Sequence, residues 1–109
     1  MLLLKKGRVV DPATGTDEVR DVLIDNGAIA DVGPNLQSPN AEIIDASQWV
    51  VAPGFIDLHC HLREPGDEPS ETIQSGCRAA VRGGFTAVCP MPNTHPVNDN
   101  ASVTRSIME

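Results

Sequence analysis

The sequence predicts an α/β chain in two parts, a strand-rich segment over residues 1–52 and two βα units over residues 53–109. Three observations predict it. The first half consists of short β-branched runs between turn residues, with no helical periodicity. Pro53-Gly54 then marks a change of style, and beyond it each strand-like run is followed by a helix-like one.

Leu2 to Val10 reads as a first strand, closed by the turn residues Asp11-Pro12-Ala13-Thr14-Gly15, and Val19 to Ile24 as a second. Asn26-Gly27 predicts a tight hairpin, because both central residues of a type I′ turn need positive φ. Ala28 to Val32 is the returning strand, and Gly33-Pro34-Asn35 and Ser38-Pro39-Asn40 mark loops. Glu42 to Asp45 and Trp49 to Ala52 supply two more short strands, and this half is expected to be antiparallel. Phe55 to His61 opens the second part as a strand, and a loop follows with Pro65-Gly66 and Pro69. Residues 70–82 carry Ile73, Cys77, Ala80 and Val81 on one helical stripe, stopped by Gly83-Gly84. Phe85 to Met91 is a nearly continuous apolar run, as expected of a parallel strand covered on both faces, and Asn100 is an N-cap for a helix with Val103 and Ile107.

Strand, helix, strand, helix implies a parallel sheet with right-handed crossovers. Two parallel strands cannot stand alone, since their edges and apolar faces would lack partners. Four or five short strands are likewise too few for a sandwich that buries both its sheets. The expected architecture is therefore the start of a (β/α)8 TIM-type barrel preceded by half of a composite β-sandwich. Because such a barrel needs about 250 residues, the chain is expected to be an N-terminal piece, truncated at Glu109.

With 40% hydrophobic and 21% charged residues in 11.6 kDa, the composition is that of a folding chain rather than a disordered one. A net charge of −7 disfavours nucleic acid and anionic membranes as partners. The apolar run Met1 to Leu4 is followed at once by Lys5 and Lys6, too short for a signal peptide or a membrane span, so a cytoplasmic location is expected. Cys60, Cys77 and Cys89 form no C-x-x-C pair and are expected to be reduced and mostly buried.

Chemistry concentrates in Asp57-Leu58-His59-Cys60-His61-Leu62-Arg63. On a strand with period two, Asp57, His59, His61 and Arg63 share one face, and Ile56, Leu58, Cys60 and Leu62 the other. Since the strand opens a βα unit, helices should cover the apolar face, leaving the polar face to the barrel interior. Side chains at i and i+2 lie about 6.5 to 7 Å apart, close enough for His59 and His61 to hold one metal ion. An H-x-H pair alone is weak evidence and reads more readily as histidines that bind no ion; Asp57, Arg63 and the strand-to-helix context reverse that reading toward a metal. Zinc hydrolases use at least three protein ligands, and the others are not evident. His95 reads as a solvated loop residue, Asp67, Glu68 and Asp99 as loop carboxylates, and Cys60 as a packing residue. Arg63 is suited to bidentate capture of a carboxylate, the alternative being an ion pair with Glu64 or Glu68. Asn93, in Met91-Pro92-Asn93-Thr94-His95-Pro96, either joins that carboxylate site or serves only as a turn residue.

The run Gly54-Phe55-Ile56-Asp57-Leu58-His59-Cys60-His61-Leu62-Arg63-Glu64-Pro65-Gly66, with Gly83-Gly84-Phe85-Thr86 and Met91-Pro92-Asn93-Thr94, resembles the N-terminal part of type I dihydroorotases of the amidohydrolase superfamily. The resemblance extends to Gly7, Asp11-Pro12 and Asp45-Ala46, over about the first quarter of such a protein. It implies that His59 and His61 are zinc ligands in a centre of one or two Zn2+, and that His61, Arg63 and Asn93 contact the substrate. The implied reaction interconverts N-carbamoyl-L-aspartate and (S)-dihydroorotate in pyrimidine (UMP) biosynthesis. No general base falls within these residues; the remaining ligands and the base are implied beyond Glu109, so the 109 residues alone are expected to be inactive. Cys60 departs from the small aliphatic residue more common there. Allantoinase and hydantoinase share the H-x-H, but Arg63 with Met91-Pro92-Asn93-Thr94 favours dihydroorotase. Some dihydroorotase-like chains are non-catalytic partners of aspartate transcarbamoylase; the retained histidines argue against that class. A homo-oligomer is expected, and a transcarbamoylase partner is compatible with the resemblance.

Overall fold

A computed structural model describes all 109 residues. It is a small, strand-rich α/β structure that divides into two compact units, Met1–Pro53 and Gly54–Glu109. The first unit is a five-stranded sheet built from β1 (Leu2–Asp11), β2 (Thr16–Asp25), β3 (Ala28–Gly33), β4 (Glu42–Asp45) and β5 (Val50–Val51). The β2–β3 hairpin turns at Asn26 (φ 48°) and Gly27 (φ 77°), the pair of positive φ values that a type I′ turn requires.

The sheet is mixed, not antiparallel throughout. While β2 pairs antiparallel with both β1 and β3, β4 and β5 pair parallel with β1. After β3 the chain does not turn tightly back; it runs through residues 34–41 to the far side of β1 and enters there from the end at which β1 begins, which makes the pairing parallel. Val50–Val51 is also shorter than the strand predicted from Trp49 to Ala52. Leu3, Val9, Val22 and Ala46 form the core of this unit.

One polar group is buried with them. Asp21 is 4% exposed and faces a bulge in β1, where pairing jumps from Leu4↔Val22 to Gly7↔Arg20 and Lys6 takes φ 62°. Its Oδ1 accepts the Lys6 amide at 2.8 Å, and its Oδ2 accepts the Lys5 ammonium at 2.6 Å and the Leu36 amide at 3.0 Å. Lys5 Nζ also donates to the Leu36 carbonyl at 2.9 Å. Burial pushes the Asp21 carboxyl pKa up, but the Lys5 and Lys6 hydrogen bonds, the Lys5 charge and the Leu36 amide outweigh it and leave it below the ordinary value.

The second unit contains β6 (Phe55–Cys60), α1 (Ile73–Arg82), β7 (Phe85–Pro90) and α2 (Ala101–Met108), with β6 and β7 paired in parallel. Thr72 caps α1 by accepting the Ser75 amide, and the Ser75 hydroxyl accepts the Thr72 amide in return. Asn100 caps α2, accepting from the amides of Ser102 and Val103.

Two expectations about coverage fail. Helices do not cover the apolar face of β6: Ile56 and Leu58 are 61% and 73% exposed. Nor is β7 covered on both faces, since Thr86, Ala87 and Cys89 are exposed. The reason is geometric. A single crossover helix shields one strip of a sheet; here α1 packs chiefly on β7, and Leu62 lies against the buried Gly76 of α1. The three cysteines are free, but Cys60 and Cys77 are only half-buried and Cys89 is exposed. No helix is long and apolar enough to cross a membrane.

Asp21→Ala leaves the Lys5 ammonium and two amides without their shared acceptor and should cost about 3 kcal/mol of stability, measured by urea unfolding at neutral pH. The folded-state pKa of Asp21 lies below its unfolded value, so its contribution is present above about pH 4 and lost as pH falls through the folded value. Asp21→Asn should flatten that part of the stability–pH curve.

Candidate metal and substrate site

Parallel pairing brings the ends of β6 and β7 together. The ladder is irregular twice: Phe55 and Ile56 face Phe85 and Ala87, with the extra residue on β7, and Asp57 and Cys60 face Val88 and Pro90, with the extra residue on β6. Such a bulge shifts side-chain parity and re-aims the residues after it, so Asp57, His59, His61 and Arg63 do not form the unbroken row that strict alternation predicts. Asp57 and Cys60, of opposite parity, line one cavity against α1 together with His61, Ala79, Ala80 and Phe85. The Asp57 carboxylate bends along the chain, its Oδ1 accepting the His59 amide at 2.9 Å.

The two imidazoles, His59 within this irregular stretch and His61 after it, lie edge to face, with centroids 5.3 Å apart and planes at 60°. His61 follows the last residue of β6, one position beyond the strand, and is reached by Asn93, whose Oδ1 lies 2.9 Å from Nδ1 of the ring. Met91 donates its amide to the Cys60 carbonyl at 2.8 Å, extending the pairing past β7. The His95 amide donates to the Pro65 carbonyl at 2.9 Å, and the Asn98 amide to the Pro92 carbonyl at 3.0 Å. Buried Thr94 donates its hydroxyl to the Pro96 carbonyl at 2.7 Å. The loops after the two strands are thus bonded to each other and braced internally.

Arg63, Gly66, Asp67, Asn93, Thr94 and His95 line a cleft of about 340 Å³ between these loops. Arg63 is exposed and forms no ion pair. Both acidic neighbours that could have paired with it are engaged elsewhere. Glu64 accepts the Ile73 amide at 2.8 Å, supporting the start of α1, and Glu68 accepts the Gly66 amide at 2.9 Å, a bond that holds its carboxyl below the ordinary pKa. Burial, with the negative groups of Asp57 and Glu71 and the other two cysteines nearby, pushes the Cys60 thiol up, which keeps it protonated and suits packing better than ligation.

His59, His61, Arg63 and Asn93 therefore gather at the C-terminal end of the paired strands. No set of three or more His, Cys, Asp and Glu side chains is close enough to hold a metal ion. The donor chemistry fits two positions of a zinc centre, two adjacent imidazoles, and those two positions alone. Sequence reading missed the His61–Asn93 bond and the role of Glu64 at α1. The first was foreshadowed by pattern: both residues follow the ends of consecutive strands in a predicted parallel sheet. No signal marked the second.

The profile of the dihydro-orotase-like family matches residues 48–107. The chain belongs to that family. Among curated relatives, this dihydro-orotase-like chain is 61% identical over 108 residues to the dihydroorotase of Solibacter usitatus, covering 99% of the chain and 25% of that protein. It is 54% identical over 109 residues to the dihydroorotase of Anaeromyxobacter sp. strain K, again covering 99% of the chain and 25% of the relative. Among solved structures, D-hydantoinase from Bacillus sp. AR9 superposes with a TM-score of 0.77 at 29% identity, over 97% of the chain and 23% of that protein. The chain thus spans about a quarter of the length of the relatives it matches.

Gly66 adopts φ 107°, and a Cβ there would lie 2.5 Å from both the carbonyl oxygen and the Cβ of His95. Gly66→Ala should force the two loops apart, lowering Tm by about 10 °C, as expected for a loss near 2 kcal/mol. Hydrogen exchange at the His95 amide checks it: protection should fall while the amides of β6 and β7 keep theirs.

Proposed function

We propose that the 109 residues supply the first two βα units of a (β/α)8 barrel and part of a β-sandwich in a zinc-dependent dihydroorotase. On this reading the protein interconverts (S)-dihydroorotate and N-carbamoyl-L-aspartate. The observation that carries it is the convergence of His59, His61, the unpaired Arg63 and Asn93 at one end of two parallel strands, the end at which barrel enzymes keep their active sites. The family membership and the names of the relatives support it.

His59 and His61 would hold the metal as neutral imidazoles. Zinc bound there would supply Lewis-acid polarisation of the scissile ring amide and a water of lowered pKa. The chain's own residues do the rest of the work assigned to this segment. The Arg63 guanidinium takes the substrate carboxylate in a bidentate grip, placing positive charge where a protein of net charge −7 would otherwise repel an acid. Asn93 donates its side-chain N–H to the same carboxylate, and His61 borders the bound ring. Orientation by these groups precedes cleavage of the ring C–N bond by water, which yields the open-chain carbamoyl and a second carboxylate. Proton transfer is assigned to none of the 109 residues.

A hydantoinase-type activity is the second reading, favoured by the structural likeness to D-hydantoinase. Hydantoins lack the ring carboxylate, so they give Arg63 nothing to grip. Comparing kcat/KM for dihydroorotate and hydantoin separates the two.

In a protein of the relatives' length that contains this segment, His59→Ala should remove zinc, measured as metal stoichiometry, and reduce dihydroorotate turnover to background. Full zinc content with full turnover would refute the assignment. Arg63→Ala should leave zinc in place and raise KM about 10- to 100-fold, the worth of a lost hydrogen bond to a charged group. Arg63→Lys should recover only part, because an ammonium cannot present the planar fork.

A further inference from the structure

We infer that Asn93 is a positioning residue for His61, one that sets which ring nitrogen can accept a metal, in addition to facing the substrate. The place of one proton decides it. Asn93 presents its carbonyl oxygen, Oδ1, to His61 Nδ1 at 2.9 Å, and a carbonyl oxygen has no hydrogen to give. The bond therefore requires the hydrogen on Nδ1. In a neutral imidazole the other nitrogen, Nε2, then carries the lone pair. A side-chain partner on the non-ligating nitrogen is the device that fixes ring orientation and tautomer at metal sites.

Three further observations support it. Asn93 is held by a loop braced through the Met91–Cys60, His95–Pro65 and Asn98–Pro92 backbone bonds, so the acceptor has a fixed place. The side-chain nitrogen of Asn93 makes no hydrogen bond within the protein and stays available to an anionic oxygen in the cleft. The His59 ring, by contrast, has no hydrogen-bonded partner; only its backbone amide is held, by Asp57. The two histidines are thus unequal. His61 is set in advance by the second βα unit, whereas the His59 ring is placed only by its edge-to-face contact with His61.

Asn93 then couples two tasks. Its oxygen prepares a metal ligand and its nitrogen meets the substrate carboxylate, so a shift of the loop after β7 would disturb both together. The tautomer follows from Asn93 presenting its oxygen, and not its amide nitrogen, to the ring; its use in holding zinc rests on the function proposed above.

The test uses histidine-selective 15N NMR on the metal-free form of a protein of the relatives' length that contains this segment, on the alkaline plateau of the imidazole signals. His61 should appear as the Nδ1–H tautomer in the wild type and in Asn93→Asp, which keeps the acceptor oxygen, and should lose that preference in Asn93→Ala. Zinc affinity, measured by competition with a chromophoric chelator, should fall about 10- to 100-fold in Asn93→Ala and not in Asn93→Asp. An Nε2–H tautomer in the wild type, or a tautomer and zinc affinity unchanged in Asn93→Ala, would overturn the inference. In a protein of the relatives' length, Asn93→Asp should raise KM for dihydroorotate by repelling its carboxylate. An unchanged KM there, with the tautomer behaving as stated, would sink the carboxylate reading and leave the positioning role standing.

Discussion

The parallel pairing of β6 and β7 is the constraint on which the site depends. Neither segment carries a complete set of groups: β6 and the residues just after it bring two imidazoles and a guanidinium, and the Pro-rich loop after β7 brings an asparagine. Because parallel strands joined by a crossover helix run the same way, their C-terminal ends lie side by side, and residues far apart in sequence meet. The backbone bonds from Met91 to Cys60 and from His95 to Pro65 continue that pairing beyond the strands. They turn two loops into one braced rim, on which the His61–Asn93 contact and the Arg63 cleft depend.

The same economy operates in the first unit, with a different residue. A bulge in β1 leaves the backbone at Lys6 without a regular ladder partner, and Asp21 supplies one from the opposing strand while neutralising the Lys5 charge. Buried carboxylates are costly unless paired and hydrogen-bonded, and this one accepts three bonds. One of them comes from Leu36, so the loop after β3 is tied to the same point. A register irregularity is thereby satisfied in full, and Asp21 has no unmet partner in spite of its burial.

Element by element, the strands and helices were legible within a few residues. Alternation and turn residues located β1 to β5, the Asn26-Gly27 turn marked its hairpin, and the stripe through Ile73, Cys77 and Val81 located α1, though its first turn begins at Ile73 and not at residue 70. Pairing was less legible. Local pattern says that a run is a strand; it does not say which neighbour it will choose, and the parallel pairs β1–β4 and β1–β5 depend on the path of residues 34–41, which no local spacing specifies. The bulge in β6 was equally invisible, since Asp57 to Arg63 alternates without a break in sequence and loses its parity only in the ladder with β7.

Local sequence thus specified the residue types available for chemistry, their order along each strand, and the change from β to βα style at Pro53-Gly54, because each of these is written in spacing and turn preference. Folding supplied the rest. It set the ring geometry of His59 and His61, the pairing of His61 with Asn93, the freedom of Arg63 from ion pairs and the support that Glu64 gives the first turn of α1. The physical reason is common to all four. Each depends on a contact between segments that meet only when the chain has folded back on itself, and neither the period of a strand nor the propensity of a residue carries information about a partner met through space.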